Sequence, residues 1–335
     1  MAARVFRTRG LSPCSKKGLS PCSKKGLSPV QKIGVWAVLV LLLAALAAGY
    51  GCTPEKAEGV SIVATVFPAY DFVRELTRGI PGVSVRLMLP PGTESHTFDP
   101  SVSDALAVSD CSLLVYAGGD ADAWAEKILR SDTMAGKPAA ALCDAVSNML
   151  MIEGEDEADP HVWTSPVNVI AIAEYLRDKI APLLPDDAAV NTLNANCAAF
   201  VADLRALDND FRTLAASLPA EKRVLAFGDR YPFRYFCAEY GLTAYAVFPG
   251  CAEESEPAAA DVKRVVDVIR ERGLDTVFYV ELSNHRIADA IARETGCSTA
   301  CLHSCHNLSR ADFDAGETYL SLMRRNFDVL SALAG

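Results

Sequence analysis

Basic residues run out early in this chain. Eight of its 32 Lys and Arg precede the first acidic residue, Glu55, which leaves 24 basic against 42 acidic side chains for the rest. Nucleic-acid phosphates require a basic face, and that balance argues against one, so nucleic acid is not the expected partner. Local metal signatures are missing too: there is no HExxH pair and no twinned CxxC, and spacing alone gives no metal site. Histidine is sparse, with five in 335 residues. Cysteine is present but unpatterned. Of the 11, Cys14, Cys22 and Cys52 belong to the leader; Cys111, Cys143, Cys197, Cys237, Cys251, Cys297, Cys301 and Cys305 are scattered, unlike a small disulfide scaffold, and no pairing is assigned. What remains is a chain about 50% apolar and 22% charged, long enough for two packed domains. Its excess of acid suits a cationic ligand.

The first 52 residues read as an address. A basic stretch leads into Ile33 to Tyr50, uncharged and almost wholly apolar, with positive charge kept on the cytoplasmic side. Gly51-Cys52 then resembles the lipobox of bacterial lipoproteins, which makes Cys52 the expected lipidation site and first mature residue. Gly49 and Tyr50 depart from the usual Leu-Ala-like pair; an uncleaved anchor is the alternative, since about 20 apolar residues span a bilayer. Either way the body is expected outside the cytoplasmic membrane. The repeat GLSPCSKK at 10–17 and 18–25 is too short and polar to bury a core.

After a tether at 53–59, β-branched runs alternate with helix-period segments. Strands are expected near 60–66, 83–89, 112–116 and 139–143, with helices near 69–78, 101–109, 121–130 and 167–183. Such alternation builds a parallel sheet covered on both faces. From 187 to 217 the pattern changes to one apolar stripe: Leu193, Cys197, Phe200, Leu204, Leu207, Phe211 and Leu214 recur at steps of three and four. That helix would run about 45 Å at roughly 1.5 Å per residue. Alternation then resumes, with strands at 223–227, 243–248, 276–280 and 298–302 and helices at 231–240, 257–272, 285–295 and 312–333. The expected fold is therefore α/β: two similar lobes with parallel sheets, 60–186 and 218–335, joined by one long rigid helix.

In parallel α/β sheets, ligands bind beyond the carboxyl ends of the strands. Four of the five histidines fall there: His96 after the second strand, His161 after the fourth, and His303 and His306 after the last. The fifth, His285, opens a helix and reads as a surface or capping residue. Asp229 and Arg230 follow the fifth strand, and Glu281 ends the seventh. Imidazoles reaching into a cleft from two lobes suit a divalent transition metal. The acidic run Glu153, Glu155, Asp156, Glu157 and Asp159 reads as a solvated loop or a collector of cations. Cys305, between two candidate ligands, could supply sulfur or be oxidised.

Two segments carry a resemblance. PPGTESHTFDPSVSD and DPHVWTSPVN are similar to the metal-binding segments of the zinc- and manganese-binding lipoproteins that serve ABC transporters, and the likeness continues through FRYFCAEYGL and RETGC to YLSLMRRNFDVL. It covers nearly all of 60–333. The resemblance implies two lobes braced by a long helix, His96 and His161 as ligands, and a fourth ligand at or near His306. It also places Arg230 where the family has His or Glu, and a guanidinium cannot coordinate a cation. The expected set is His96, His161 and His306, with His303 the next candidate, then Asp229 or Glu281; Arg230 would pair with Glu281 or with an anion on the ligand. Such a set favours zinc over manganese. The implied role is a monomeric binding protein, not an enzyme, that hands metal to a permease. Two alternatives stand beside it: a zinc hydrolase with Glu281 as general base, and a carrier of a metal–chelator complex held by Arg230.

Overall fold

The structure, a computed structural model, describes residues 59–95, 98–131, 136–152, 157–248 and 257–334. His96, Cys52 and Cys251 lie outside the described residues, as do Glu153, Glu155 and Asp156 of the acidic run and the apolar stretch 33–50. No described helix is long and apolar enough to cross a membrane.

Among the described residues, short runs rich in Val, Leu and Ala, flanked by Gly and Pro, form eight parallel strands in two sheets. The first contains β1 (Val60–Ala64), β2 (Val83–Leu87), β3 (Leu113–Tyr116) and β4 (Ala139–Ala141) in the order β2-β1-β3-β4. Ile62 stands between Val85 and Leu113 in register. The second contains β5 (Val224–Phe227), β6 (Thr243–Ala246), β7 (Thr276–Tyr279) and β8 (Ser298–Cys301) in the equivalent order β6-β5-β7-β8. Strand order reverses between β1 and β3, and again between β5 and β7, where such sheets open a crevice at their carboxyl ends. The helices are α1 (Phe67–Thr77), α2 (Val102–Asp110), α3 (Ala123–Leu129) and α4 (Pro166–Ile180) before the long one, and α6 (Arg234–Tyr240), α7 (Ala259–Arg272) and α8 (Arg286–Thr295) after it.

The long helix, α5, runs Asp187–Ser217. Asp186 starts it by accepting a hydrogen bond from Ala189 N at 2.8 Å, and Leu218, extended ahead of Pro219, ends it. Its stripe, Leu193 through Phe211, is buried and belongs to one continuous core with Ile62 and Phe72 of the first lobe and Phe227 and Phe278 of the second. The outer face of each sheet has its own smaller core. The two-lobed α/β architecture on a long helix is therefore what the periodicity predicts.

The expected last helix differs. It divides into α9 (Arg310–Asp314) and α10 (Tyr319–Ser331). Gly316 turns the chain at φ +77°, a conformation open to glycine, and Thr318 restarts it with a reciprocal cap on Ser321. The new N-terminus docks on the first lobe: Tyr319 N donates to the Asp71 carboxylate at 2.7 Å, and burial pushes Asp71 up to about 6.

Residues 303–308, which follow β8, stitch the lobes together. Trp163 Nε1 donates to Ser304 O at 2.9 Å, and Phe67 N donates to His306 O at 3.3 Å. Asn307 Nδ2 donates to Pro90 O and Thr93 O at 3.0 and 2.8 Å, while Gly92 N donates to Leu308 O at 2.8 Å.

Candidate metal centre

At the seam lies a small cavity of about 30 Å³, lined by Glu94, His161, Arg230, Glu281, Ser304 and His306 among others. The second lobe contributes Arg230 and Glu281 from the ends of β5 and β7, its order-reversal point. The first contributes the loop after β2 and the turn before α4.

His161 sits in that turn, where Pro160 precedes it and Ser165 caps α4 by accepting from Asn168 N. It is buried, and its ring is held by a carboxylate: Nδ1 lies 2.7 Å from Asp159 Oδ1, which also accepts from His161 N at 2.9 Å. Burial raises the pKa of Asp159, but the His161 contacts and Arg234, 3.3 Å from Oδ2, outweigh it and hold the carboxyl below its ordinary value. An ionised Asp159 accepts a hydrogen bond from Nδ1–H and leaves Nε2 with the lone pair, the arrangement metal-binding imidazoles use. Within the acidic run this aspartate reads as surface; Asp-Pro-His, two residues from a candidate ligand, was the signal that separates it. Asp159→Asn is expected to weaken metal binding about 10–100-fold, the usual range for losing such a partner, as measured by competition with a chromophoric chelator.

His306 meets His161 across the seam. Their ring centroids are 5.2 Å apart at 75°, and the Trp163 ring stands 5.2 Å from each. The turn that aims His306 is left-handed at Cys305, φ +61°. Cys305 itself is fully buried, and burial drives its thiol well above the ordinary range, so the expected sulfur donor is a protonated core residue. Cys297 and Cys301 are half-buried, and all seven described cysteines are free.

His303 is set apart from the cavity. Its Nδ1 accepts from Cys305 N at 3.0 Å, so the proton resides on Nε2, which is buried with no hydrogen-bond partner among the described residues. A protonated nitrogen has no lone pair for a metal, and moving the proton to Nδ1 would set two donors face to face. Three residues in sequence place His303 beside His306; the Cys305 turn separates their roles.

The carboxylates beyond β5 and β7 are occupied. Asp229 accepts from Arg230 N at 2.8 Å and Val280 N at 3.1 Å, tying the two strand ends together. Glu281 accepts from Ser304 N at 2.6 Å and Ser304 Oγ at 2.5 Å. Arg230, expected on Glu281, instead donates from Nη1 to Glu94 Oε2 of the first lobe at 2.7 Å. Glu94 carried no signal in the sequence beyond standing two residues before His96. His285 is exposed, stacked on Tyr279 at 4.8 Å, as a surface residue. Among the described residues no three His, Cys, Asp or Glu are placed to hold an ion by themselves; the loop that leads to His96 enters the cavity through Thr93, Glu94 and Ser95.

Residues 62–333 match the ZnuA family, described as zinc-uptake complex component A, periplasmic. The chain is 29% identical over 309 residues to the zinc-binding lipoprotein AdcA of Streptococcus pneumoniae, covering 87% of this chain and 60% of that one, so it spans about three fifths of that relative's length. It is 26% identical to the high-affinity zinc uptake system protein ZnuA of Bacillus subtilis, covering 84% of this chain and 89% of the relative. Among solved structures, the Zn(II)-bound ZnuA-like domain of pneumococcal AdcA superposes with a TM-score of 0.67 at 28% identity, covering 82% of this chain and 99% of that domain. The metal-dependent lipoprotein YcdH of Bacillus subtilis gives 0.69 at 25%, covering 82% and 98%.

Proposed function

The chain belongs to the ZnuA family of zinc-uptake components, and on that premise we propose that it captures a divalent metal outside the cytoplasmic membrane, zinc ahead of manganese, and delivers it to an ABC permease. The ligands are His96, His161 and His306. The observation that carries this reading is the His161–His306 pair: two imidazoles converging across the seam at 5.2 Å, one of them oriented by the buried Asp159. Nitrogen donors of this kind favour zinc. The body works as a monomer anchored through lipidated Cys52, in keeping with the lipoprotein relatives.

The size of the cavity weighs against other cargo. Sites for organic ligands run to about 300–1,000 Å³, whereas this one is about 30 Å³. A chelator would also need Arg230 for its anion, and that guanidinium holds Glu94. The family is one of binding components; a hydrolytic role for Glu281 has no support in a carboxylate that caps Ser304.

Imidazole nitrogens must shed protons to bind metal, so uptake is proton-linked and weakens on acidification. Titration calorimetry of metal-free protein in buffers of differing ionisation enthalpy is expected to show one zinc per chain with proton release. A flat titration overturns the reading.

A further inference from the structure

We propose that Arg234 and Tyr235, neighbours at the start of α6 in the second lobe, are positioning residues for His161, acting through Asp159 of the first lobe. This role rests on the metal-binding reading above and adds two residues that act on the ligand at one remove.

Asp159 is 2% exposed, and each of its polar groups is engaged. Oδ1 lies 2.7 Å from His161 Nδ1 and accepts from His161 N at 2.9 Å, so it sets the direction of the imidazole. The backbone N donates to Leu150 O at 2.7 Å. Both remaining groups are held from the other lobe: Oδ2 accepts from Arg234 Nε at 3.3 Å, and the carbonyl O accepts from Tyr235 Oη at 2.8 Å. A carboxylate gripped at one oxygen by a guanidinium has little freedom to turn the other away from its imidazole.

The Tyr235 hydroxyl has a second task, because it also accepts from Leu150 N at 3.0 Å. Leu150 and Asp159 are the two ends of the excursion that carries the acidic run, and Met151 and Ala158 bridge its arms. One buried oxygen from the second lobe therefore closes the base of that loop, two residues before His161. Arg234 is steadied in turn, its guanidinium lying 5.1 Å from the centroid of the Tyr231 ring. The partners that orient a ligating histidine matter nearly as much as the ligand itself. Here the aim of a first-lobe imidazole depends on a second-lobe helix being seated, which couples the lobes at the site through protein contacts alone.

The test compares the parent with Arg234→Met, Arg234→Lys, Tyr235→Phe, Asp159→Asn, the Arg234→Met/Asp159→Asn double variant and His161→Ala. Zinc competition with a chromophoric chelator and the visible spectrum of the cobalt(II)-loaded protein are read for each, with circular dichroism as the control for folding. Arg234→Met is expected to weaken zinc binding within about 10–100-fold, to shift the cobalt bands and to be partly rescued by Arg234→Lys. Tyr235→Phe, which removes only a hydroxyl, is expected to weaken it about tenfold, the lower end of that range. Adding Arg234→Met to Asp159→Asn is expected to cost nothing more, because the arginine acts through that carboxylate. With zinc still bound by the parent, parental affinity and cobalt spectrum in Arg234→Met would overturn the arginine's role, and the same result in Tyr235→Phe would overturn the hydroxyl's. A loss from Arg234→Met that persists in the Asp159→Asn background would overturn the route through Asp159. If the parent takes up no zinc, or His161→Ala matches it, the metal-binding reading itself fails.

Discussion

Replacing His161 and His306 together with alanine is expected to abolish zinc binding while leaving a folded protein. The two rings, the donors of the proposed site, face each other at the seam 5.2 Å apart, one from each lobe. Removing a mere orienting partner weakens metal binding by about 10–100-fold, so loss of two ligands should exceed the upper end of that range and leave the site empty after dialysis. Metal content by mass spectrometry, with circular dichroism as the control for folding, reads the result. Retention of one zinc per chain in the double variant would move the site elsewhere. His303→Ala is the informative companion: with its proton on Nε2 and its place outside the cavity lining, it should leave affinity close to the parent's.

Trp163→Ala is expected to have the largest effect on stability. The indole is fully buried against both histidine rings, its Nε1 donates across the seam to Ser304 O at 2.9 Å, and its own carbonyl accepts from Tyr319 Oη at 2.8 Å. Truncating a buried aromatic to alanine costs about 3–5 kcal/mol, and leaving Ser304 O without its donor adds about 1–3 kcal/mol. Against a total stability of about 5–15 kcal/mol, that is a large share. Thermal unfolding should fall by many degrees, and zinc affinity should fall with it because both imidazoles lose the wall they lean on. Trp163→Phe keeps most of the packing and loses the hydrogen bond, so an intermediate result separates the two contributions. A melting temperature within a degree or two of the parent's for Trp163→Ala would show that the seam does not depend on this ring.

Much of the architecture was legible because it follows from periodicity and caps. The stripe from Leu193 to Phe211, bounded by Asp186 and Pro219, defines α5 at both ends, and eight β-branched or apolar runs give eight strands. The histidines were findable because sheet topology sends chemistry to strand ends. Three features were hidden for physical reasons. The break before α10 depends on Gly316 adopting a left-handed backbone, a freedom glycine has but does not always use. The division of labour between His303 and His306 depends on a left-handed turn at Cys305, a residue that rarely takes that conformation, and on which ring nitrogen meets a backbone N–H. Asp159 and Glu94 look like any surface acid until partners 75 and 136 residues away, Arg234 and Arg230, are brought beside them.

The stitches made by residues 303–308 constrain how cargo can leave. The floor of the cavity is clamped by Trp163, Phe67 and α10, and the Pro90–Ser95 stretch is fastened by the Asn307 amide, one backbone bond to Leu308 and the Glu94–Arg230 ion pair. Local opening proceeds through whichever element is least secured. On the proposed metal-binding reading, residence time is therefore expected to depend on Asn307, whose amide ties this stretch to the opposite lobe.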